Sequence, residues 1–382
     1  MQARYLEQNG LWKGNTDMKR LLYIQDSFGT GGINVVESIK ENWLHDNGYE
    51  VCNLNVLNNR TFDGSFRYRE GIKKYYIERE SLDKLYQVPC IGVFLRFLYY
   101  RIKLIYLILK INPDIIIASR DELEPFTVVL FTFWKKRILE FHCGFLDNGI
   151  NNYPLKKRLR CKVKFRFYHI VALTKKDQEL RATAYKQKVF VIPNPLKATP
   201  INYSTQENKK ILILARFTSQ KNLPNLLLSW ENVQKKHPDW TLDIYGEGED
   251  KDRMLKVIKE RKLNTVHVNG YVNDPFKIIP EYSIFLLPSL YEGFPMVLIE
   301  CMSCGVPAVA YNCLCGPDEV IKDGENGIIV QLNDMDAFIE KVNNLIEHPE
   351  LRKSMSLKCR ENIKRYALDK VMAQWIDLFN KI

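Results

Sequence analysis

Short apolar runs alternate with longer helical patterns along nearly the whole of this 382-residue chain. Runs such as Arg20–Gln25 and Ile284–Leu287 have the length of strands, and each is followed by a loop and then by a helical segment. This alternation predicts parallel β-sheets whose crossover helices cover both faces. The fold class is therefore α/β, and ligands are expected at the loops that follow the carboxyl ends of the strands.

The series is interrupted once, where Pro193-Asn194-Pro195 is followed by the polar stretch Lys197–Lys209. A chain of this length exceeds what one hydrophobic core normally organises, so the interruption predicts a domain boundary. We predict a tail over 1–17, a doubly wound Rossmann-like domain over 18–195 and a second one over 196–365. A C-terminal helix over 366–382 is expected to pack back toward the first domain.

The N-terminus is polar until Leu21, which does not fit a secretory signal, and nine scattered cysteines suit reduced thiols. These features predict a cytoplasmic protein. The apolar segment Ile91–Ile111 has the length of a membrane span but contains four bases. Because a bilayer core penalises such charges heavily, we interpret it as an amphipathic or buried helix. The bases are Arg96, Arg101, Lys103 and Lys110.

Positive charge is concentrated in the first part of the chain. The first 200 residues hold 33 basic and 20 acidic side chains, whereas the remaining 182 hold 23 and 25. The densest run, Lys156–Arg166, has seven bases in eleven residues and no acid. Such a run attracts nucleic acid, anionic lipid or phosphorylated substrates, and an ordinary solvated surface explains it equally well. Its aromatic content, Phe165 and the residues just beyond, is too low for a base-stacking surface.

The first strand is followed by a glycine loop, Phe28-Gly29-Thr30-Gly31-Gly32-Ile33-Asn34. A dinucleotide fingerprint would need glycine where Asn34 stands, which argues against a Rossmann dehydrogenase. The loop still suits a backbone-amide cradle for phosphate at a helix N-terminus, although simple turn glycines would give the same pattern.

A second motif, Leu290–Glu300, combines two glutamates with a helix start. Pro295 fits the first turn of a helix, so Glu292 precedes that helix and Glu300 lies within it. The free amides of Met296 and Val297 could meet a diphosphate, while each carboxylate could accept two hydrogen bonds from a vicinal diol. Two exposed glutamates near a helix end would show the same spacing.

Arg216 and Lys221 follow the predicted strand Lys210–Ala215 and precede a helix. Two cations in one loop can neutralise a leaving diphosphate, Arg as a planar fork and Lys as a point charge. The sequence therefore predicts a diphosphate site that uses no metal ion.

Together these motifs resemble the retaining glycosyltransferases of family 4, the glycosyl transferases group 1. The resemblance covers nearly the whole chain and is strongest from Ile211 to Val330. The fold that it implies is GT-B, with two Rossmann-like domains facing across a cleft, one for an acceptor and one for a nucleotide-sugar donor. The matching residues, in chain order, are Gly29–Gly32, His142, Pro193-Asn194, Arg216 with Lys221, Gly246-Glu247-Gly248, Glu292 with Glu300, Ser303–Pro307, Gly316–Glu319 and Asp323–Gly327.

The resemblance also implies a role for each matching residue. Arg216 and Lys221 would bind the donor diphosphate. Glu300 would hold the ribose hydroxyls, and Glu292 would hold those of the transferred sugar. His142 would lie against the donor sugar near the reacting carbon. Further donor contacts, mostly from the backbone, would come from Gly31, Gly32, Gly246, Phe294, Met296 and Val297.

The implied reaction is retaining transfer of a hexose or N-acetylhexosamine to a saccharide or lipid-linked saccharide, in surface polysaccharide biosynthesis. Gly316–Glu319 resembles members that use UDP-sugars. No cofactor, metal ion or nucleic-acid partner is expected. Two alternatives stay open: a sugar-nucleotide epimerase of the same fold, which needs a donor but no acceptor, and a nucleic-acid-binding protein that uses the basic run.

We assign the basic run to the acceptor side, through Lys156, Lys157, Arg158 and Arg160. Together with the helix Ile91–Ile111, these bases predict docking on an anionic membrane, peripherally on the inner face of the cell membrane. The alternative interpretation is that the helix is an ordinary cover of the first sheet.

The cysteines depart from the family pattern at Cys301, where the family usually has alanine. Four thiols have spacings that resemble a zinc site. The alternative, which we favour, is that Cys301 and Cys304 face the core of one helix. The four thiols are Cys301, Cys304, Cys313 and Cys315.

Overall fold

The computed structural model describes residues 19–25, 32–58, 68–78, 92–119, 126–142, 144 and 161–382. The chain divides into two compact units. The first holds the described residues up to Leu173, together with Asp177–Ile192 and Val371–Ile382. The second holds Thr174–Lys176 and Pro193–Lys370.

Within its described residues, the first unit contains a seven-stranded sheet of order β3-β2-β1-β4-β5-β6-β7, and every pairing is parallel. Strands β1 and β4 are consequently neighbours at the point where the strand order reverses. The strands are β1 (Arg20–Gln25), β2 (Glu50–Asn58), β3 (Lys73–Glu78), β4 (Ile115–Ala118), β5 (Lys136–Glu140), β6 (His169–Ala172) and β7 (Val189–Val191).

Helices pack against this sheet because their apolar positions recur at helical spacing. Helix α2 buries Leu104, Leu107 and Ile108 in a cluster with the strand residues Leu22 and Leu54. The helices are α1 (Gly32–Asp46), α2 (Gly92–Ile111), α3 (Phe126–Phe131) and α4 (Lys175–Tyr185). None of the helices in the described part of the chain is long and apolar enough to cross a bilayer.

The second unit contains a six-stranded parallel sheet of order β10-β9-β8-β11-β12-β13. Here the strand order reverses between β8 and β11, the place where ligands bind in open α/β sheets. The strands are β8 (Lys210–Leu214), β9 (Thr241–Tyr245), β10 (Val266–Asn269), β11 (Ile284–Leu287), β12 (Ala308–Tyr311) and β13 (Gly327–Val330).

The helices of the second unit follow these strands in alternation. They are α5 (Leu223–Lys236), α6 (Lys251–Glu260), α7 (Met296–Ser303), α8 (Pro317–Val320), α9 (Met335–Glu347) and α10 (Pro349–Asn362). A final helix, α11 (Leu368–Lys381), has most of its length in the first unit. Trp230 of α5 is fully buried in the main core of the second unit, beside the strand residues Ile211 and Leu242.

The α/β class and the two parallel sheets confirm the fold class predicted from the sequence. Two strands were not predicted. Strand β3 begins with two lysines and lies at a sheet edge, where exposed polar residues mask the strand pattern. Strand β13, Gly327–Val330, is apolar, in contrast to β3, but it is short and directly follows a turn motif. Strand β5 ends at Glu140, so His142 lies in the loop that follows it.

Candidate active site

The carboxyl ends of β8 and β11 bring two functional loops together. The strands are parallel neighbours, so the loop after β8, with Arg216 and Lys221, and the loop after β11, with Glu292, leave the same edge of the sheet. Two hydrogen bonds join the loops. In the first, the Leu290 amide donates to the Gln220 carbonyl at 2.9 Å. The Gln220 side-chain amide donates to the Tyr291 carbonyl at 2.7 Å. The switch point of the sheet therefore assembles the predicted cations beside a predicted carboxylate.

Lys221 and Glu292 form an ion pair. The Lys221 Nζ lies 2.6 Å from the Glu292 Oε1, and their side chains are only 16% and 9% exposed. Arg216, in contrast, is exposed to solvent. An ammonium group has three hydrogens to donate, so Lys221 can hold Glu292 and still bind an anionic oxygen. The sequence placed Lys221 on a phosphate and did not anticipate this pairing.

The glycine motif after β9 supports the loop that carries Arg216. Gly246 has a φ of 142°, and a Cβ there would lie 1.8 Å from the Ala215 carbonyl oxygen. Gly248 approaches the Phe217 carbonyl in the same way, with only 2.3 Å left for a Cβ. The residues on either side of Arg216 are thus packed directly on glycine backbone. Gly246 therefore supports the backbone of the loop that carries Arg216, and a side chain at this position would displace that loop.

The start of α7 lies between the two predicted carboxylates. Pro295 occupies the cap position, and Met296 and Val297 are the first helical residues, both half-buried. The first amides of a helix have no partner within it, and the helix dipole gives this end positive potential. Phe294 is buried, and its ring meets that of Tyr366 edge-on at 5.5 Å between centroids. The arrangement can receive an anion at the backbone of Met296 and Val297.

Glu300 lies further along α7 and is 8% exposed. Burial raises its pKa from 4.5 to about 7, the nearby charge of Asp274 adds to the increase, and that of Lys197 opposes it. Glu292 therefore has a cation at hydrogen-bonding distance, whereas the ionisation of Glu300 is opposed chiefly by burial. A carboxylate held in this state gains most from a ligand that donates hydrogen bonds to it.

The turn before α8 packs against this site as well. A Cβ at Gly316 would lie 3.2 Å from both the Glu292 Cβ and the Pro295 Cδ. Any side chain there would press on the residue that carries the carboxylate and on the cap of α7. Gly316, the first residue of the motif interpreted from the sequence as a donor-class feature, therefore packs against Glu292 and Pro295.

The first unit contributes fewer described residues to the prediction. Gly31 lies outside the described residues, as do Lys156, Lys157, Arg158 and Arg160. Gly32 begins α1, and a Cβ there would meet no described atom within 4 Å. In the described part of the unit, packing thus gives no reason for glycine at this position.

His142 stands beside a cluster of buried charges that the sequence analysis missed. Its Nε2 lies 3.6 Å from the Glu140 Oε1 and 3.8 Å from the Glu37 Oε1, and its side chain is 2% exposed. Lys40 of α1 donates to the Glu140 Oε1 at 2.6 Å, and its ammonium group lies 4.7 Å from the centre of the Trp375 ring. The His142 ring thus lies within ion-pairing distance of the Glu140 carboxylate.

The ionisation states within this cluster differ. Burial acts to raise the pKa of Glu140, but the charges of Lys40 and His142 outweigh it and leave the pKa lowered. Burial raises the pKa of Glu37 well above its usual value. Glu37 and Lys40 share one face of α1 with buried Val36 and Leu44. Charged residues on the buried face of an amphipathic helix are the sequence signal that could have revealed the cluster.

The cysteines of α7 face the core. Cys301 and Cys304 are fully buried, and burial raises the pKa of Cys304 to about 12 and that of Cys301 well above its usual value. Metal ligation requires the thiolate, which such burial disfavours. Within the residues that the structure describes, no group of three or more histidine, cysteine, aspartate or glutamate side chains is arranged to hold a metal ion.

Similarity to known proteins agrees with this geometry. Residues 197–362 match the family described as Glycosyl transferases group 1. An uncharacterized glycosyltransferase of Haemophilus influenzae is 29% identical over 369 residues, 94% of this chain and 99% of the relative. The amylovoran biosynthesis glycosyltransferase AmsD of Erwinia amylovora is 32% identical over 226 residues, 55% of this chain and 62% of AmsD. A crystal structure of an S. aureus TarM variant, in complex with fondaparinux, alpha-GlcNAc-glycerol and UDP, has a TM-score of 0.73 at 16% identity, over 95% of this chain and 100% of TarM.

The two all-parallel sheets and the likeness to TarM define the GT-B fold. The chain is a glycosyltransferase, and its residues 197–362 belong to the glycosyl transferases group 1, family 4. The resemblance inferred from the motifs is thereby confirmed at the level of family and fold.

Proposed function

We propose that this enzyme transfers a hexose or N-acetylhexosamine from a UDP-sugar, with retention of configuration, to a saccharide or lipid-linked saccharide of a surface polysaccharide. Two comparisons support this choice of substrates. AmsD is named for the biosynthesis of amylovoran, and the TarM structure was determined with UDP.

The observation that carries the proposal is the start of α7. Met296 and Val297 are the first two helical residues, and along the chain they stand between Glu292 and Glu300, whose side chains are both buried. Amides in the first turn have no partner within a helix. A nucleotide sugar has hydroxyls on its ribose and on its sugar, with a diphosphate between them. The helix start offers partners in the same order: one carboxylate for the ribose hydroxyls, amides for the diphosphate and a second carboxylate for the sugar hydroxyls.

Each residue then has a defined part in binding. Glu300 accepts hydrogen bonds from the ribose hydroxyls, which compensates its burial. Glu292 accepts from the transferred sugar, while Lys221 holds it and donates to the diphosphate. Arg216 is exposed and free to approach the same phosphates from the neighbouring loop. These two cations supply the charge that stabilises the leaving group, so the proposal requires no metal ion.

The reaction proposed is a front-face substitution at the anomeric carbon. The bond from that carbon to the phosphate oxygen breaks as the bond to the acceptor oxygen forms on the same face. The acceptor proton passes to the leaving phosphate, so the chain need not supply a base. In this scheme His142 has the role that the family resemblance implies, a contact with the donor sugar, and the Glu140 carboxylate lies 3.6 Å from its Nε2. Catalysis rests on positioning and on stabilising the departing diphosphate.

A donor screen tests the proposal. The protein is incubated with UDP-, GDP-, ADP- and dTDP-sugars in EDTA, and binding and donor hydrolysis are measured. We expect UDP-sugars to bind, and Arg216→Ala and Glu300→Ala to weaken binding at least about tenfold, since each removes a charge-assisted contact. The control is Glu260→Ala, which removes an exposed carboxylate of α6.

Three outcomes would contradict the proposal. Binding that survives both substitutions would remove the assignment of the site to the second unit. A requirement for a divalent cation would contradict the role of Arg216 and Lys221. Conversion of the donor to its epimer without an acceptor would identify an epimerase instead. Retention is checked by the anomeric configuration of the product once an acceptor is found.

A further inference from the structure

Helix α2 exposes an apolar face to solvent. Five of its exposed side chains recur at i, i+4, i+8, i+12 and i+15 and form one continuous stripe along the helix, and Phe97, at i+3, adds an exposed ring near its N-terminal end. The opposite face, including Leu104 and Ile108, is buried against the sheet. The exposed residues are Phe94 (66% exposed), Phe97 (56%), Leu98 (41%), Ile102 (59%), Tyr106 (52%) and Leu109 (49%).

A second group of exposed apolar side chains lies at α3, a helix in contact with α2. Leu130, Phe131, Phe133 and Trp134 are 45%, 67%, 62% and 57% exposed. The Phe133 and Trp134 rings meet edge-on at 5.5 Å between centroids. We call the two groups together the aromatic face.

The turn that presents these rings is held from within. Arg137 of β5 is fully buried, and its guanidinium group donates to the carbonyls of Thr132 at 2.7 Å and Lys135 at 2.9 Å. Lys135 in turn donates to the Asn112 side chain, just beyond the end of α2, at 2.5 Å. The exposure of Phe133 and Trp134 is therefore fixed by a hydrogen-bonded turn and not by a loose loop.

Most of the charged side chains in the described part of the aromatic face are basic. Helix α2 contains no acidic residue. In the described stretches 92–119 and 126–142 there are two carboxylates: Asp114 accepts from the Arg20 amide at 2.7 Å, and Glu140 is buried and paired with Lys40. Several bases lie over the aromatic rings, as Lys103 and Lys110 do over Tyr106 at 5.7 and 5.9 Å. The bases of these stretches that are not fully buried are Arg96, Arg101, Lys103, Lys110, Lys135 and Lys136.

This combination selects among the surfaces that could cover the face. Exposed apolar area of this extent on one side of a protein marks an interaction site. A second copy of the chain would bring two basic faces together, which like-charge repulsion opposes. Aromatic and aliphatic side chains beside lysine and arginine instead match the headgroup region of an anionic bilayer, where rings enter the interface and bases meet phosphates.

We propose that the aromatic face, α2 together with α3 and its following turn, docks the enzyme on an anionic membrane surface. The inference sharpens the membrane hypothesis drawn from the basic run, because it places the apolar contact on Phe131, Phe133 and Trp134 as well as on α2. It goes beyond the proposed function, since docking does not depend on which donor is used. A lipid-linked acceptor would be presented at the same surface.

The test is co-sedimentation of the full chain with vesicles of phosphatidylcholine, with and without phosphatidylglycerol. We expect binding that rises with phosphatidylglycerol and falls with salt. The variants Phe131→Ser/Trp134→Ser and Phe94→Ser/Ile102→Ser should each weaken binding at least about tenfold. The matched control, Leu228→Ser/Tyr271→Ser, replaces exposed apolar residues of the second unit and should bind as the unmodified chain does.

The outcomes separate this proposal from the proposed function. Equal binding by the face variants and the unmodified chain would overturn it, as would indifference to phosphatidylglycerol and salt. Self-association that the face variants abolish, without vesicle binding, would show that a second copy covers the face. UDP-sugar binding in solution should be the same in all these variants, so a failure of donor binding in the unmodified chain would refute the donor assignment alone. Thermal unfolding of each variant verifies that it is folded.

Discussion

Glu300→Gln should stabilise the protein at neutral and alkaline pH while it weakens donor binding. Burial raises the pKa of Glu300 from 4.5 to about 7, so the folded protein holds this proton more tightly than the unfolded chain does. Stability is then lost as the pH rises from about 4.5 through 7. Because each pKa unit is worth about 1.4 kcal/mol, ionised Glu300 costs roughly 3 kcal/mol above pH 7. Glutamine keeps the shape of the side chain and carries no charge.

The assay is thermal unfolding of the unmodified chain and the variant between pH 5 and pH 8. For a unit of this size, 3 kcal/mol corresponds to a rise in Tm of roughly 6–12 °C at pH 8, and the difference should be small at pH 5. UDP should raise the Tm of the unmodified chain more than that of the variant. The two units can unfold in separate transitions. The transition to compare is that of the second unit, which contains Trp230 and Trp240.

Glu292→Gln is the matched control on the same motif. Glu292 is also buried, but it is paired with Lys221 at 2.6 Å, so its removal leaves an ammonium group without its partner. We expect a loss of roughly 1–3 kcal/mol, opposite in sign to the Glu300 change. If Glu300→Gln lowers the Tm at pH 8, or raises it equally at pH 5, the reasoning from desolvation is wrong.

Three further predictions concern the supports of the site. Gly246→Ala should destabilise the second unit by roughly 3 kcal/mol or more and weaken UDP binding, because its Cβ would lie 1.8 Å from the Ala215 carbonyl oxygen. Urea denaturation measures the stability and UDP titration measures the binding. An unchanged midpoint of urea denaturation would contradict the close approach. Lys40→Met should lower the free energy of unfolding by about 3–5 kcal/mol, because it leaves buried Glu140 without its partner. The double variant Lys40→Met/Glu140→Leu should recover most of that stability in the same denaturation assay. Equal losses of stability in both variants would refute the pairing argument. Lys221→Met should reduce the donor hydrolysis rate more than UDP binding if its charge acts on the leaving group; equal losses would limit Lys221 to binding.

The contrast between Glu292 and Glu300 bears on how the site works. One carboxylate is compensated by Lys221 before any ligand arrives, whereas the other is kept in an environment that disfavours its charge. A ligand hydroxyl that donates to Glu300 restores part of the lost solvation. The enzyme thus holds one binding group at a cost in stability, which is the usual relation between a functional site and the fold around it.

The sequence alone predicted the local features. Hydrophobic period and turn residues predicted the strands Arg20–Gln25 and Ile284–Leu287 and the helix start at Pro295, because such patterns depend on neighbours a few residues away. The ordered motifs also gave the family and the GT-B fold. The roles assigned to Arg216, His142 and the two glutamates stay predictions, since they concern a ligand.

Tertiary structure decided which of these side chains meet and what that does to their charges. Lys221 pairs with Glu292 across 71 positions of sequence, and Lys40 with Glu140 across 100, distances at which no periodic pattern carries information. The extent of burial of a side chain depends on everything packed around it. It raises the pKa of Glu300, and it leaves Phe131 and Trp134 exposed. The sequence determined the elements and the chemistry available at their ends, and packing determined the partners, because desolvation and pairing are properties of the folded chain.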